Sequence, residues 1–346
     1  MRSSLPVVDV ATAGATTRAR VIALVPAHNE EEQIGAAVDS LLAQTRPLDR
    51  IVVVADNCTD ATAAIARAKG VDVIETVGNT ARKAGALNCG FREAEARSYE
   101  YVLQMDADTV LGETFVEDAL ERLEADPDVG GLCARYRVKD ARGILHRLQK
   151  LEYHRFVRVQ EKKGISVLSG TAVALRVEAL PSPVWDETSL VEDYRLTLDL
   201  KRNGWKVASG PTAYTDTMKT VRAFWRQRVR WARGTIEELS REGWQPYTRR
   251  DILLHVAFAA GVLVRCLWFV ALALTLALVG LAWNPWWLIP TAIILAERVL
   301  SVRDLERRDV LVAATMIPEE LCQIIREGVL VWSACLALYR RAGRAW

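Results

Sequence analysis

Asp106 and Asp108 stand one residue apart in DADT, at the end of the apolar run YVLQM. If that run is a strand, alternation puts both carboxylates on one side of the chain, roughly 7 Å apart at a rise of ~3.3 Å per residue. Like charges held that way repel unless a cation sits between or beside them. Mg²⁺ takes one or two carboxylates plus phosphate oxygens, and Mn²⁺ suits the same oxygen ligands. Asp also favours turns through hydrogen bonds to nearby backbone, so an isolated D-x-D does not choose between turn and ligand. The surroundings must choose. Other groups with chemical capacity are Glu30 in PAHNEEE, Asp56 in DNCTD, Lys83 in RKAGALN, and Glu192 and Asp193 in LVEDYRL.

The elements that would hold these groups follow a simple alternation from Val21. VIALVP, RIVVVAD, VDVIET and YEYVLQM read as strands, and the segments between them have helical spacing, one ended by Gly70. Buried apolar strands separated by amphipathic helices predict an α/β fold with a mostly parallel sheet wrapped by helices. Ligands in such sheets sit beyond the carboxyl ends of the strands. PAHNEEE, DNCTD and DADT all fall there. Later, SLVEDYRLTLDLKRNGW reads as a helix stopped by Gly204, with Glu192 and Asp193 at its start, where acidic residues also favour the helix dipole. Asp60 reads as a helix cap.

At 346 residues the chain exceeds the usual single-domain range, so at least two regions are expected. A net charge of +2 discriminates little. The six cysteines lack C-x-x-C spacing, which argues against a zinc site or a disulfide framework and for a reducing setting. Residues 1–20 lack the apolar core of a secretory signal and read as a mobile tail.

From Ile252 the chain changes solvent. Cys266 to Trp283 is long enough to cross a hydrocarbon core, for which roughly 20 apolar residues suffice. WWLIPTAIILAERVL is a shorter second candidate, and Trp283, Trp286 and Trp287 between them suit a headgroup belt. Ile252 to Val264 reads as an interfacial approach to the first span. Basic SVRDLERRD and YRRAGRAW place both segments in the cytoplasm by the positive-inside rule. Residues 310–338 carry Pro318, Glu319, Glu320, Arg326 and Glu327, charges too dense for a comfortable span. They read as two helical segments on the cytoplasmic face, with a spanning helix as the alternative. The resulting division is a tail over 1–20, a catalytic domain over 21–240 with interfacial helices near 142–163 and 220–240, and a membrane region over 241–346 with two or three hydrophobic helices.

VPAHNEE, VVVADNCTDAT, RKAGALNCG, DADT, LSGTAVALR, LVEDYRLTLDLKRNGWKV and QRVRWARG occur in that order from Val25 to Gly234. Together they resemble the family 2 glycosyltransferases, whose A-type fold is a Rossmann-like binder of nucleotide-diphospho-sugars. The last resembles the Q-x-x-R-W element of the membrane-embedded subset that includes cellulose, chitin and hyaluronan synthases. The resemblance implies that Ala27, His28, Glu30 and Asp56 line a nucleoside pocket and that Lys83 meets the diphosphate, with Gly85 permitting close backbone approach. It gives Asp106 to the ribose or the metal and Asp108 to the divalent cation, Mg²⁺ or Mn²⁺. It makes Asp193 the base for an acceptor hydroxyl in an inverting transfer, with Glu192 beside it. It places Ser169, Gly170 and Thr171 where donor and acceptor sugars meet, Gln227 and Trp231 at the acceptor, and Arg230 at the diphosphate.

The implied protein is a metal-dependent hexosyltransferase that uses a UDP-sugar. It is anchored in the cell membrane, inner or plasma, with its catalytic domain and tail in the cytoplasm. Its acceptor is lipid-linked, protein or glycan. The chain departs from the processive synthases in having no N-terminal spans. That favours transfer of one or a few sugars over a pore assembled from several copies, although Q-x-x-R-W keeps the homo-oligomeric synthase open. A scaffold or nucleic-acid binder built on a degenerate transferase fold is the reading from another class, since Arg222, Arg226, Arg228, Arg230 and Arg233 lie among aromatic residues. The complete acidic set counts against it. His146 and His154 read as surface or packing residues rather than metal ligands.

Overall fold

A computed structural model describes residues 18–279, 288–315 and 317–344. Its strands are β1 (Val21–Ala27), β2 (Arg50–Asp56), β3 (Asp72–Thr76), β4 (Tyr101–Met105), β5 (Thr109–Leu111), β6 (Val129–Val138), β7 (Ala172–Arg176) and β8 (Lys206–Thr215). Between and after them run α1 (Ile34–Leu42), α2 (Thr62–Ala68), α3 (Arg82–Glu93), α4 (Phe115–Ala125), α5 (Ile144–Lys163), α6 (Glu192–Arg202) and α7 (Val221–Glu242). Helices α8 (Arg249–Val279), α9 (Leu288–Ser301), α10 (Arg307–Ala314) and α11 (Ile317–Arg344) complete the chain.

The strands form one sheet in the order β3-β2-β1-β4-β7-β6-β8-β5. The half β3-β2-β1-β4 is parallel, as the alternation of strands and helices predicts. Strand β7 then runs antiparallel to both β4 and β6, β6 and β8 are again parallel, and β5 runs antiparallel to β8, so the sheet is mostly parallel with antiparallel pairings at β7 and β5. The cause is the long α5 excursion, after which the chain re-enters between β4 and β6. Strand β1 is buried along its whole length. Its odd residues Val21, Ala23 and Val25 pack with α1, α2 and α4, while Ile22 and Leu24 pack with α3, α6 and Trp185. Alternation in one strand thus joins two helical layers. The parallel register sets Ala27 beside Ala55 and Asp56 beside Thr76, so the carboxyl ends of β1, β2 and β4 open on the same edge.

In the C-terminal part, Arg249–Thr275 is 27 residues with a mean hydropathy of 2.2, long and apolar enough to cross a membrane; among the described residues it is the one such helix. The expected division at Arg265, with an interfacial segment before it and a span from Cys266, is corrected: α8 runs unbroken across Arg265 as far as Val279, and the rest of the expected span lies outside the described residues. Arg265 does not interrupt the helix because Glu320 and Glu327 of α11 meet the guanidinium at 2.6 and 2.8 Å. The tryptophan belt at 283, 286 and 287 lies outside the described residues, as do residues 1–17 of the expected tail. Helices α10 and α11 part just before Pro318, which sits in the first turn of α11 where its missing N–H is no loss.

Helix α5 fastens these helices to the sheet domain. Arg147 and Lys150 hold the fully buried Asp309, each at 2.6 Å, and Arg155 meets Glu319 at 3.0 Å. His154 meets Asp304 at 3.1 Å and Arg158 meets the same carboxylate at 3.2 Å. His154 is buried and its pKa is lowered, chiefly by that burial; His146 pairs with Thr217 at 3.0 Å. Neither histidine is in a metal cluster.

Candidate functional site

The first cavity, about 510 Å³, opens at the strand ends. Ala27, His28, Glu30, Asp56, Lys83, Asp106 and Asp108 line it, seven residues singled out from the sequence. Strand β2 delivers Asp56, whose Oδ1 accepts from Asn57, Thr76 and Asn79. Its backbone carbonyl faces Nδ1 of His28 at 2.6 Å. The side chain is therefore fixed before any ligand arrives. Asn79 also accepts the Ala81 N–H at 2.9 Å at the start of α3. A Cβ on Gly85 would lie 2.2 Å from Asn79 Oδ1, so this glycine makes room for Asn79 rather than for a phosphate.

The acidic groups crowd one another. Burial pushes Glu30 up to about 7, with Asp108 as the next cause. Asp108 is also raised, by burial first, against the pull of Lys139, whose Nζ donates to the Asp108 carbonyl at 2.6 Å. Apart from two long hydroxyl contacts, from Thr109 at 3.3 Å and Thr215 at 3.4 Å, the Asp108 carboxylate has no donor among the described residues. Among the described residues no group of three or more His, Cys, Asp or Glu side chains could hold a metal ion, and Asp106 is taken by Lys83, so a divalent cation here would rest on Asp108 together with phosphate oxygens. Asp216 adds negative charge to Glu30 and Asp108, and no sequence motif pointed to it. Asp60 caps α2 from outside, accepting the Thr62 N–H at 3.0 Å.

Lys83 joins this cavity to the second half of the site. Its Nζ donates to Asp106 and, at 3.2 Å, to the Gly170 carbonyl, and stands 3.7 Å from Glu192. Lys83 is held protonated by Asp106 and Glu192 against burial, which acts the other way. Burial pushes Asp106 up while Lys83 pulls it down. The Gly170 N–H donates to Asp193 Oδ2 at 3.0 Å, and the Tyr194 N–H to Oδ1 at 2.7 Å. Burial, then Glu192, raises Asp193. A Cβ on Gly170 would lie 2.7 Å from Lys83 Nζ and 3.5 Å from Asp193 Oδ2, so a larger residue there would have to displace the Lys83 ammonium. Thr171 accepts the Asp106 N–H on its carbonyl at 2.9 Å, and its hydroxyl meets that of Ser169 at 3.2 Å.

A second cavity, about 380 Å³, lies on the far side of Asp193, and Ser169, Asp193 and Trp231 line it. Its remaining walls were not legible as a motif: Tyr136 on β6, Glu152, Tyr153 and Phe156 on α5, and Asp251 and His255 on α8. Gln227 and Arg230 line neither cavity. Gln227 Oε1 accepts from Arg228 at 2.6 Å, and the exposed Arg230 donates to the Leu190 carbonyl at 3.3 Å. Arg228 is the buried arginine of α7, paired with Glu152 at 2.9 Å and lying 4.4 Å over the Trp231 ring. That engagement removes the centre of the basic face on which a nucleic-acid reading rests.

The Glycosyl transferase family 2 model matches residues 22–182. The poly-beta-1,6-N-acetyl-D-glucosamine synthase of Staphylococcus epidermidis is 29% identical over 248 residues, 67% of this chain and 58% of that protein. The Staphylococcus aureus (strain COL) protein of the same name is 28% identical over the same length. The chain thus spans little more than half the length of these relatives. Among solved structures, the mannosyltransferase PcManGT from Pyrobaculum calidifontis, in complex with GDP-Man and Mn²⁺, matches with a TM-score of 0.65 and 21% identity over 94% of this chain and 88% of that one. That likeness extends the shared fold beyond the matched domain. The polar clusters at three strand ends of the eight-stranded sheet lie within the stretch, residues 22–182, that matches the Glycosyl transferase family 2 model.

Proposed function

We propose that the protein is an inverting glycosyltransferase, anchored through α8, that moves a sugar from a UDP-sugar to an acceptor hydroxyl at the cytoplasmic membrane face. One observation carries this reading: the backbone of Gly170 accepts from Lys83, which lines the first cavity, and donates to Asp193, which lines the second, so one residue ties the two linings together. A donor in the first and an acceptor in the second would bring an anomeric carbon and a hydroxyl together beside Asp193.

In this reading Ala27, His28, Glu30 and Asp56 hold the nucleoside, and Lys83 turns from Asp106 toward the diphosphate. Arg230 reaches the diphosphate by giving up its long bond to Leu190. Asp193 takes the proton of the acceptor hydroxyl as its oxygen attacks the anomeric carbon and the bond to the diphosphate breaks on the opposite face. A divalent cation held by Asp108 and Asp106 would act as Lewis acid for the departing diphosphate. Ser169, Thr171, Gln227 and Glu192 surround the junction, and Trp231 offers a ring to the acceptor.

The names of the curated relatives, synthases of a polysaccharide, favour a second reading, extension of a glycan chain. Nucleotide release from the detergent-purified full chain tests the first reading, with Mn²⁺ and a panel of UDP-sugars beside GDP-mannose. Turnover of one donor that Asp193→Asn and Asp108→Ala both abolish supports it. Turnover that survives Asp193→Asn would overturn the assigned base.

A further inference from the structure

Gln104 puts an amide into the apolar run of β4 and is buried, with 1% of its surface exposed. A buried amide needs partners at both ends. Its Oε1 accepts from the Trp185 indole N–H at 2.9 Å, and its Nε2 donates to the Gly170 carbonyl at 3.3 Å. An indole N–H can only donate and a carbonyl can only accept, so the amide has one orientation. Trp185 is itself locked: it is fully buried, its N–H donates to Asn88 Oδ1 at 3.1 Å, and its carbonyl accepts from Asn88 Nδ2 at 2.7 Å. Gln104 lines neither cavity, so it meets no ligand directly.

The backbone that Gln104 holds leads into β7 and is committed group by group. The Leu168 N–H donates to Thr197 Oγ1 at 2.9 Å, the Ser169 N–H to Cys133 Sγ at 3.1 Å and the Gly170 N–H to Asp193 Oδ2 at 3.0 Å. The Gly170 carbonyl has two donors, Gln104 and, at 3.2 Å, Lys83 Nζ. They differ in kind. Lys83 lines the first cavity on a flexible stem, whereas the Gln104 amide is fixed by the indole.

We infer that Gln104 is a positioning residue for the base: it holds Gly170, and through the Gly170 N–H the Asp193 carboxylate, while Lys83 leaves for the donor diphosphate. The inference rests on the transferase reading and adds to it the residue that separates donor binding from placement of the base. Without the amide, departure of Lys83 strips the buried Gly170 carbonyl of both donors, and the backbone turns to recover one. The Gly170 N–H then swings away from Asp193, and a misplaced base slows the transfer.

The test is nucleotide release by the full chain in detergent, with Mn²⁺ and a panel of UDP-sugars and GDP-mannose, followed across pH and beside the melting temperature. Gln104→Met removes the donor and orphans the Trp185 indole; Gln104→Met combined with Trp185→Phe removes both partners, so an orphaned indole cannot explain its loss of rate. Val102→Ala, on the same face of β4, loosens the core without touching Gly170. Asp193 and its charged neighbours Glu192 and Lys83 stay unaltered in every variant. Both Gln104 variants should release nucleotide about tenfold more slowly at pH 7. Because a backbone N–H favours the ionised carboxylate, the acid limb of their pH–rate profile should also move up by about half a pH unit or more. Val102→Ala should melt at a lower temperature and keep the acid limb where it is. An unmoved limb in either folded Gln104 variant, or the same shift in Val102→Ala, overturns the role of Gln104 and leaves the transferase reading standing. Failure of the unaltered chain to release nucleotide from any donor overturns that reading and the inference with it.

Discussion

The Tyr194 hydroxyl donates to Asp251 Oδ2 at 2.9 Å, and both residues are buried. Tyr194 follows Asp193 in the first turn of α6, while Asp251 lies in the first turn of α8. The helix carrying the proposed base is therefore tied to the helix that can cross a membrane. Tyr194→Phe should lower kcat roughly tenfold while leaving the donor KM near its original value, since the lost hydroxyl bond to Asp251 fixes the start of α6, where Asp193 sits, and touches nothing in the first cavity. Asp251→Asn keeps an acceptor oxygen and should retain most activity, whereas Asp251→Leu should behave like Tyr194→Phe. Steady-state kinetics on the three variants decide it, and an equal loss in both asparagine and leucine variants would argue against a positioning role.

Metal dependence should divide along the two aspartates. Chelation with EDTA is expected to abolish transfer, and Mn²⁺ or Mg²⁺ to restore it. Asp108→Ala should need at least about a hundredfold more metal, because the groups left nearby, Glu30 and Asp216, are less well placed. Asp106→Asn should lose less metal affinity but also release Lys83 from its nearest partner. Titrations of activity against free Mn²⁺ give both numbers.

The pH dependence follows from the environment of Asp193. Burial and Glu192 raise its pKa, and a base must be ionised to accept a proton. Transfer should therefore fall as pH drops through a value above the ordinary carboxylate range of about 4. The linkage has the opposite sign for stability. A carboxyl whose pKa is higher folded than unfolded destabilises the native state once the pH exceeds its unfolded value, where ionisation costs more in the fold. Asp193→Asn should thus melt at a higher temperature than the unaltered chain at pH 7 and lose that advantage on acidification, in scanning fluorimetry.

Arg195 carries the largest predicted loss of stability. It is buried and bridges Asp199 of its own helix to Glu238 at 3.2 Å and Glu242 at 2.6 Å on α7. Arg195→Met would leave Asp199 and Glu242 to the half-exposed Arg202 and Glu238 to the half-exposed Arg241, and should cost on the order of 3 kcal/mol. Loss of the folded protein, or a much lowered melting temperature, is the expected result. A shift within about 0.5 kcal/mol, the range of an ordinary surface change, would show that solvent reaches the cluster.

The strand ends were legible because β1, β2 and β4 are continuous apolar runs closed by polar residues, and a parallel half-sheet brings such ends to one edge. Seven of the residues named from motifs line one cavity for that reason. The reversal at β7 was not legible, since AVALR has the burial pattern of a strand and nothing in its composition sets a direction. Nor was the second cavity, whose walls come from β6, α5, α7 and α8 and share no local pattern. On α7, repeat spacing could not separate Arg228 from Arg230. The first is buried because Glu152, far back in the chain, supplies its partner. Arg265 likewise looked like a break until α11 supplied two carboxylates.

Helix α5 has two working sides. Glu152, Tyr153 and Phe156 form a wall of the second cavity, while Arg147, Lys150, His154, Arg155 and Arg158 grip acidic residues from the loop after α9, α10 and α11. One helix thus carries the ring-lined wall of the second cavity on one flank and the attachment of the C-terminal helices on the other. In the proposed membrane-anchored enzyme, a tilt of those helices would reach that wall through α5, while the strand ends of the parallel half-sheet keep their register. Lipid surroundings would then tune which acceptors are used and leave donor choice alone.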